Sequence, residues 1–307
     1  MKWQQINIVI KDIGLEAVTG ILNQLGSSGV IIEKLQNRLK TEDNFTGVDS
    51  GSLDIDSTCV KAYFPKDRRI NEELEWHLNR VQDVFNIKYR IYYNEVQDEN
   101  WEQTWKEHYH MFKVGKRIVV KPAWQDYQAE AGEVIISINP GMAFGTGIHA
   151  STRFCLYFID KYLKGNETVV DAGCGSGILS IAAGKLGASR VFAVDNDEIA
   201  VKVAKENIFL NNLQDKIMVE KNDIIRDIGN FEVDIILANI TAQVLGEFIP
   251  QAAPVLPEGG YFFGSGIIET QWEEVKSRFI EYGFIIEEVL QDAEWIGAAA
   301  RKNLICK

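Results

Sequence analysis

The sequence predicts an α/β fold in which a mostly parallel, Rossmann-like sheet follows a small α+β domain. From Ser151 onward, apolar strand-like runs alternate with helical runs, the pattern of a parallel sheet that helices cover on both faces. Ahead of this region the predicted order is βαββαβ, which is typical of a ferredoxin-like domain. At 307 residues, of which 46% are hydrophobic and 25% charged, the chain is long enough for two globular domains.

The N-terminal domain, residues 1–96, is assigned from hydrophobic periodicity. Strand-like alternation occurs at residues 3–10, 30–32, 58–64 and 88–96, and helical spacing of apolar residues occurs at 13–25 and 68–85. A polar, turn-rich stretch at residues 36–57 predicts a long loop. Because this domain contains no catalytic motif, we interpret it as a recognition domain.

A linker helix is predicted at residues 97–112, ahead of a catalytic domain at residues 113–307. Within the linker, Trp101, Trp105 and His108 recur at helical spacing, which is typical of a packing face. His108 and His110 lie two residues apart, but no cysteine and no third histidine lies near them, so no metal site is expected.

The catalytic domain is predicted to begin with short strands and then to alternate helices with strands. The short strands are expected at 117–121 and 133–138, and the later helices at 199–210, 241–256 and 269–282. The second of these helices contains Pro250 and Pro254, so a kink or break is expected. The last two strand-like runs, 284–290 and 295–301, are predicted to add an antiparallel pair to the end of the sheet.

The segment at residues 168–183 predicts a nucleoside-binding site. It reads as a buried strand, a glycine-rich turn and the start of a helix, and Gly173 and Gly175 allow a ligand to lie against bare peptide N–H groups. A second apolar run ends in Asp195, eighteen residues after Gly177. A carboxylate at that position is placed to accept hydrogen bonds from both hydroxyls of a ribose.

Details of the turn favour S-adenosylmethionine over a dinucleotide. The glycines follow the pattern G-x-G-x-G and not the dinucleotide pattern G-x-G-x-x-G. Asp171 precedes the first glycine, where a carboxylate would repel a pyrophosphate but could receive a positive group. S-adenosylmethionine carries a ribose and an α-amino group and has no phosphate, so it suits this pattern better.

A glycine-rich loop at residues 139–152 is predicted to close over the ligand. Phe144 would serve as an apolar lid and Thr152 as a hydroxyl donor, and Gly145 and Thr146 are included among the cofactor-binding candidates. A long connection between domains is the alternative reading of the same stretch.

Two polar residues that follow predicted strands complete the candidate site. Asp223 lies just past the strand around residues 217–219, from which its carboxylate could meet an adenine amino group. Asn239 ends another buried strand, where its amide would point into the crevice in which open α/β sheets bind ligands. Asparagine is also a good helix N-cap residue, so this signal is weak by itself.

Charge and cysteine content narrow the class of protein. A net charge of −12 argues against a broad nucleic-acid surface and is compatible with a basic substrate. The four cysteines are far apart, which predicts free thiols in a reducing compartment. Since the sequence also lacks a signal-like run near its start and an apolar stretch of membrane-spanning length, a cytoplasmic protein is expected.

Taken with Asp195, the glycine turn resembles that of the class I methyltransferases. A more specific signal than the turn alone is the combination of the motifs at residues 140–149, 171–183 and 237–240. This combination resembles the ribosomal protein L11 methyltransferase family. The run at residues 100–109 and the small domain before it are similar to that family too, so the resemblance covers nearly the whole chain.

The resemblance implies a methyl donor, a partner and a set of contacts. Cofactor contacts are expected at Thr152, Gly173, Asp195 and Asn239, with S-adenosylmethionine as the donor. The N-terminal domain is expected to dock free ribosomal protein L11, whose lysine ε-amines and N-terminal α-amine would be modified. A monomer that binds neither nucleic acid nor membrane is expected.

The chain departs from the usual family pattern in the loop. Asn139 stands where an Asp is common, Ile148 where a Thr is common, and Ala150-Ser151 where Pro-Thr is common. Thr152 and the glycines are intact, so these departures bear on loop closure more than on cofactor binding.

Methyl transfer to an amine requires alignment more than a strong base. A free lysine has a pKa of about 10.4, and desolvation beside a sulfonium lowers that value because both effects disfavour the ammonium. We therefore expect the Asn239 amide and nearby backbone carbonyls to orient the amine. His149 is a candidate proton acceptor, with a structural role in the loop as its alternative.

Three other functions remain possible from the sequence. A methyltransferase of a small molecule or nucleic acid would share the glycine turn, although Asn239 is not followed by the aromatic residue that stacks on a flipped base. A non-catalytic cofactor-binding module and a nicotinamide-dependent oxidoreductase are the more distant alternatives. Turnover and cofactor binding would separate them.

Overall fold

The computed structural model describes most of the chain as two compact units, residues 1–109 and 110–307. The described residues are 2–25, 27, 30–34, 57–65, 70–85, 87–97, 110–139, 147–223 and 233–303. Residues 98–109 of the predicted linker helix and residues 36–56 of the predicted loop therefore lie outside them. No helix among the described residues is both long enough and apolar enough to cross a membrane.

The N-terminal unit has the predicted βαββαβ order. Its elements are β1 (Lys2–Lys11), α1 (Leu15–Gln24), β2 (Val30–Lys34), β3 (Ser57–Pro65), α2 (Asn71–Phe85) and β4 (Tyr89–Gln97). The strands form an antiparallel sheet in the order β2-β3-β1-β4. Alternate residues of β1, namely Ile6, Ile8 and Ile10, are buried in one core with apolar residues of both helices, which explains the period of two in the sequence.

The second unit contains a three-stranded sheet and the main sheet. The small sheet consists of β5 (Phe112–Val114), β6 (Ile118–Pro122) and β7 (Val134–Ile138), in that order. The main sheet is built from β8 (Thr168–Ala172), β9 (Arg190–Asp195), β10 (Ile217–Lys221), β11 (Ile235–Asn239), β12 (Tyr261–Ile268), β13 (Phe284–Asp292) and β14 (Trp295–Lys302). Its helices are α3 (Ala150–Tyr162), α4 (Ile178–Lys185), α5 (Glu198–Leu210), α6 (Ala242–Ala252) and α7 (Trp272–Glu281).

The main sheet is parallel except at one end, as the sequence predicts. Its order is β10-β9-β8-β11-β12-β14-β13, and both pairings of β14 are antiparallel. Helices cover both faces, so neighbouring residues of a strand enter different cores: Val169 packs on the side of α3 and α4, and Val170 on the side of α6. This two-sided burial is why the strands read as continuous apolar runs.

Two elements differ from the sequence prediction. Helix α6 accommodates Pro250 near its end and stops at Ala252, before Pro254, so the predicted break occurs there and the helix is shorter than the sequence indicates. Strand β5 was not predicted, because three residues are too few to show a periodicity.

A buried carboxylate of α3 ties the small sheet to this helix. The side chain of Asp160 is 5% exposed, and its Oδ1 accepts a hydrogen bond from Arg117 Nε at 2.8 Å. Its Oδ2 accepts from the backbone N–H of Lys116 at 2.6 Å. Arg117 also donates to the backbone oxygen of Asp160, so one residue of α3 holds two consecutive residues of the turn between β5 and β6.

Replacing Asp160 with Ala is expected to lower the free energy of unfolding by about 2 kcal/mol, because it leaves the Lys116 N–H and the Arg117 guanidinium without their acceptor. Urea denaturation measures this change. Glu273→Ala is the control: Glu273 pairs with Lys276 but is 77% exposed, and such pairs contribute less than about 1 kcal/mol. Equal losses in the two variants would contradict the structural role of Asp160.

Candidate active site

The candidate site lies where β8, β9 and β11 end. These strands are neighbours and run parallel, with β8 between the other two, so their carboxyl ends meet at one edge of the sheet. The chain passes from β8 to β9 on one side and later returns to β11 on the other side. A crevice opens at such a reversal of strand order, and open α/β sheets bind ligands there.

The glycine turn after β8 adopts a backbone that favours glycine. Gly173, Gly175 and Gly177 have φ angles of 72°, 53° and 80°, which residues with a Cβ resist. A Cβ on Gly173 would lie 2.6 Å from Ile240 Cγ2, just past β11, and one on Gly177 would lie 3.2 Å from Ala204 Cβ in α5. The turn therefore needs glycine both for its conformation and for close packing on β11 and α5.

Asp171 lies beneath this turn and caps helix α4. Helix α4 begins after Gly177, which has no side chain to serve as its cap. Asp171 Oδ2 instead accepts hydrogen bonds from Ser180 N at 3.0 Å and Ser180 Oγ at 2.6 Å. Its Oδ1 is buried and has no hydrogen-bond partner among the described residues. The binding of a positive group by Asp171 stays a prediction.

The environment of Asp171 raises its pKa to about 7. Burial is the main cause, the hydrogen bonds from Ser180 act in the opposite direction, and the charge of Asp195 raises the pKa further. A carboxylate that is fully buried is costly in its ionised form, and here a single serine provides the compensation.

Asp195 ends β9 and is oriented by two backbone N–H groups. Its Oδ2 accepts from Gly175 N at 2.9 Å and its Oδ1 from Asp197 N at 3.0 Å. Asp197 in turn caps α5 by accepting from Ile199 N at 2.9 Å. Each oxygen of an ionised carboxylate has about two acceptor sites, so the two hydroxyls of a ribose can still be accommodated.

Asn239 and Thr152 are brought together, as residues predicted to serve one site should be. Asn239 Nδ2 donates to Thr152 Oγ1 at 3.1 Å, which joins the end of β11 to the first turn of α3. Thr152 is fully buried and Asn239 is partly exposed. The amide oxygen of Asn239 points toward Gly266, a residue that the sequence reasoning missed.

Gly266 allows the close approach of β12 to this asparagine. Its φ is 86°, and a Cβ there would lie 2.5 Å from the backbone oxygen of Ile240 and 3.3 Å from Asn239 Oδ1. The pairing of β12 with β14 is also irregular between Ser265 and Ile267. A glycine inside a strand often marks such a bulge, which is the signal that could have revealed it.

His149 caps helix α3 with its Nδ1 atom. That nitrogen accepts from Ser151 N at 3.3 Å and lies 2.7 Å from Ser151 Oγ. The ring packs edge-on against Trp295 with centroids 4.6 Å apart. Burial lowers the pKa of His149, and the nearby Glu294 opposes this effect. The geometry favours the structural role of His149, and its function as a proton acceptor stays a prediction.

The structure gives less information on the remaining predicted site residues. Asp223 is exposed and follows Asn222, whose N–H donates to the backbone oxygen of Asp195 at 3.0 Å. Asp223 therefore lies beside the end of β9, and its contact with adenine stays a prediction. Phe144, Gly145 and Thr146 fall within residues 140–146, outside the described residues.

The glycine turn, Asp195 and the Asn239–Thr152 pair fit S-adenosylmethionine. The N–H groups of Gly173 and Gly175, expected to be free for the ligand, instead donate to Val194 O and Asp195 Oδ2. The remaining acceptor capacity of Asp195 suits the hydroxyls of a ribose, and the buried, unpartnered oxygen of Asp171 makes this a poor place for a pyrophosphate. Together with the parallel sheet they define a class I methyltransferase that uses S-adenosylmethionine.

Comparison with known proteins identifies the family. The model of the ribosomal protein L11 methyltransferase (PrmA) family matches residues 2–303, so the chain belongs to that family. A relative of that name from Syntrophomonas wolfei is 52% identical over 99% of this chain and 100% of the relative. One from Caldanaerobacter subterraneus subsp. tengcongensis is 39% identical over the same shares.

A solved structure is similar as well. It is the crystal structure of ribosomal protein L11 methylase from Lactobacillus delbrueckii subsp. bulgaricus, with 34% sequence identity and a TM-score of 0.60. The match covers 64% of this chain and 100% of that chain.

The raised pKa of Asp171 predicts a pH-dependent stability. Its value of about 7 in the fold exceeds the ordinary 3.8, so folding binds a proton between these values and stability falls as the pH rises through that window. Relative to Asp171→Asn, which does not titrate, the wild type should lose about 3 kcal/mol of unfolding free energy between pH 5 and pH 7.5. Urea denaturation of both proteins at the two pH values measures it, and a constant difference would contradict it.

Gly266→Ala is expected to weaken S-adenosylmethionine binding about tenfold, equal to about 1.4 kcal/mol, because the new methyl group displaces the backbone beside Asn239. Titration calorimetry gives the dissociation constant. The control is Gly264→Ala on the same strand, where a Cβ would lie 3.4 Å from its nearest neighbour, Phe262. The role assigned to Gly266 would be wrong if both variants bound equally well.

Proposed function

We propose that this protein transfers methyl groups from S-adenosylmethionine to amines of ribosomal protein L11. The observation that carries the proposal is the extent of the family match, residues 2–303, which includes the N-terminal unit as well as the glycine turn. The glycine turn occurs in methyltransferases that act on many different substrates, so it does not indicate the acceptor. The family match also includes the N-terminal unit, which we interpret as the recognition domain, and this part bears on the choice of substrate. The proposed acceptors are lysine ε-amines and the N-terminal α-amine of free L11.

The proposed site works by binding and alignment. S-adenosylmethionine supplies, when bound, a methyl group already activated on a sulfonium. Asp195 would hold the ribose, and the Asn239 amide, fixed by its bond to Thr152, would orient the incoming amine. Desolvation of the incoming amine beside the sulfonium would disfavour its ammonium form. His149 already uses Nδ1 in capping α3, which supports a transfer without a dedicated base.

The N-terminal unit is proposed to dock L11, and Trp76 is its candidate contact. Trp76 lies on α2 and is 54% exposed. The guanidinium carbon of Arg80 lies 4.9 Å from its ring centroid, so the two side chains form one exposed surface. Tryptophan and arginine are enriched in protein–protein interfaces. The net charge of −12 is compatible with a basic partner.

Three finer points belong to the same proposal. The chain is proposed to act as a monomer on the free protein, without binding nucleic acid, and to do so in the cytoplasm, where a ribosomal protein is made. These points follow from the expected partner.

Transfer of labelled methyl from S-adenosylmethionine to purified L11 tests the proposal. We expect the wild type to label L11. Asp195→Ala should abolish both cofactor binding and labelling, because it removes the ribose acceptor and the group that orients Gly175. Trp76→Ala should leave cofactor binding unchanged and raise the KM for L11 about tenfold, the loss typical of an interface tryptophan.

The control for Trp76 is Trp124→Ala, which removes a tryptophan, 38% exposed, from the other unit. It should leave the KM for L11 unchanged. Tight cofactor binding by the wild type without labelling of L11 would overturn the proposed substrate, and equal effects of the two tryptophan variants would overturn docking through Trp76.

A further inference from the structure

Helix α5 directs two buried asparagines at the elements beside it. Asn207, in the last turn of the helix, and Asn211, the residue that caps its C-terminus, are 1% and 4% exposed. Burying an amide is unfavourable unless its polar atoms are hydrogen-bonded. A leucine at either position would fill a similar volume without that cost, so the reason for the amides must lie in their partners.

Asn211 holds strand β7. Its Oδ1 accepts from Ser137 N at 3.0 Å, and its Nδ2 donates to Ser137 O at 2.6 Å. The same Nδ2 also donates to Asn207 O at 2.8 Å, within the helix. The amide thus pairs with the peptide groups of β7 as a neighbouring strand would.

Asn207 connects the chain after β7 to the glycine turn. Its Oδ1 accepts from Asn139 N at 2.9 Å, and its Nδ2 donates to Ser176 O at 2.9 Å. Ser176 stands between Gly175, whose N–H orients Asp195, and Gly177. The Asn207 side chain therefore fixes the peptide group of Ser176, next to Gly175, whose N–H orients Asp195.

The spacing of the two amides matches the strand that they contact. Four residues advance a helix by about 6 Å and two residues advance a strand by about 6.6 Å. Asn207 and Asn211 can thus meet Asn139 and Ser137 together. Helix α5 also touches the turn one helical turn earlier, where Ala204 lies against Gly177.

We propose that Asn207 is a positioning residue for the methyl-donor site: its amide sets the conformation of the glycine turn by holding the carbonyl of Ser176. Asn211 holds the same strand and has no bond to the turn among the described contacts, so it separates this role from general stability. The proposal rests on the use of S-adenosylmethionine at this turn. It does not depend on which protein accepts the methyl group.

The test compares Asn207→Asp with Asn211→Asp in the full chain. Each substitution keeps the oxygen that faces β7 and replaces the donor nitrogen with an oxygen. In Asn207→Asp that oxygen faces the carbonyl of Ser176, so the turn must shift. Calorimetric titration with S-adenosylmethionine should show a dissociation constant raised about tenfold or more, whereas Asn211→Asp should stay within about twofold of the wild type.

Thermal unfolding of both variants supplies the second measurement. Similar losses in Tm with a change in cofactor affinity only at position 207 would support the positioning role. Wild-type affinity in Asn207→Asp, or equal losses of affinity in both variants, would overturn it. If the charged variants fail to fold, Asn207→Ser and Asn211→Ser are compared in the same way. Because no methyl acceptor is present, failure of L11 as the substrate leaves this result unaffected.

Discussion

The left-handed backbone of Gly173, Gly175 and Gly177 is the constraint on which the site depends. A strand must reverse into a helix within a few residues while β11 and α5 pack against the same turn. A single Cβ at the first glycine would meet Ile240 next to Asn239. The conformation of the turn at the candidate site and the packing that assembles the sheet edge are thus one requirement.

The carboxylates of Asp171 and Asp195 have different roles near this turn because their surroundings differ. Asp171 is fully buried beneath the turn, and Ser180 occupies one of its oxygens, so it stabilises the start of α4. Asp195 lies at the strand end, where two backbone N–H groups orient a carboxylate that remains partly exposed. Burial favours the neutral form of the first, and the open position of the second allows it to face a ligand.

Local sequence patterns were enough to predict the fold and to nominate the residues of the candidate site. These patterns are local in the sequence: the alternation of strands and helices, the glycine turn, and the carboxylate eighteen residues after it. Contacts between distant segments could not be predicted in this way. The bond from Asn207 to Ser176 spans 31 positions, and the cap that Asp171 provides depends on a strand lying under a helix whose N-cap residue, Gly177, lacks a side chain.

The paired amides of α5 also bear on the solubility of the chain. Strand β7 lies at the edge of the small sheet, and an edge with unpaired N–H and C=O groups is a template for strands of other molecules. Asn211 occupies both peptide groups of Ser137, and Asn207 occupies the N–H of Asn139. Both peptide groups of Ser137 and the N–H of Asn139 are therefore occupied and cannot pair with another chain, so the end of α5 makes this edge less prone to aggregation without adding a strand.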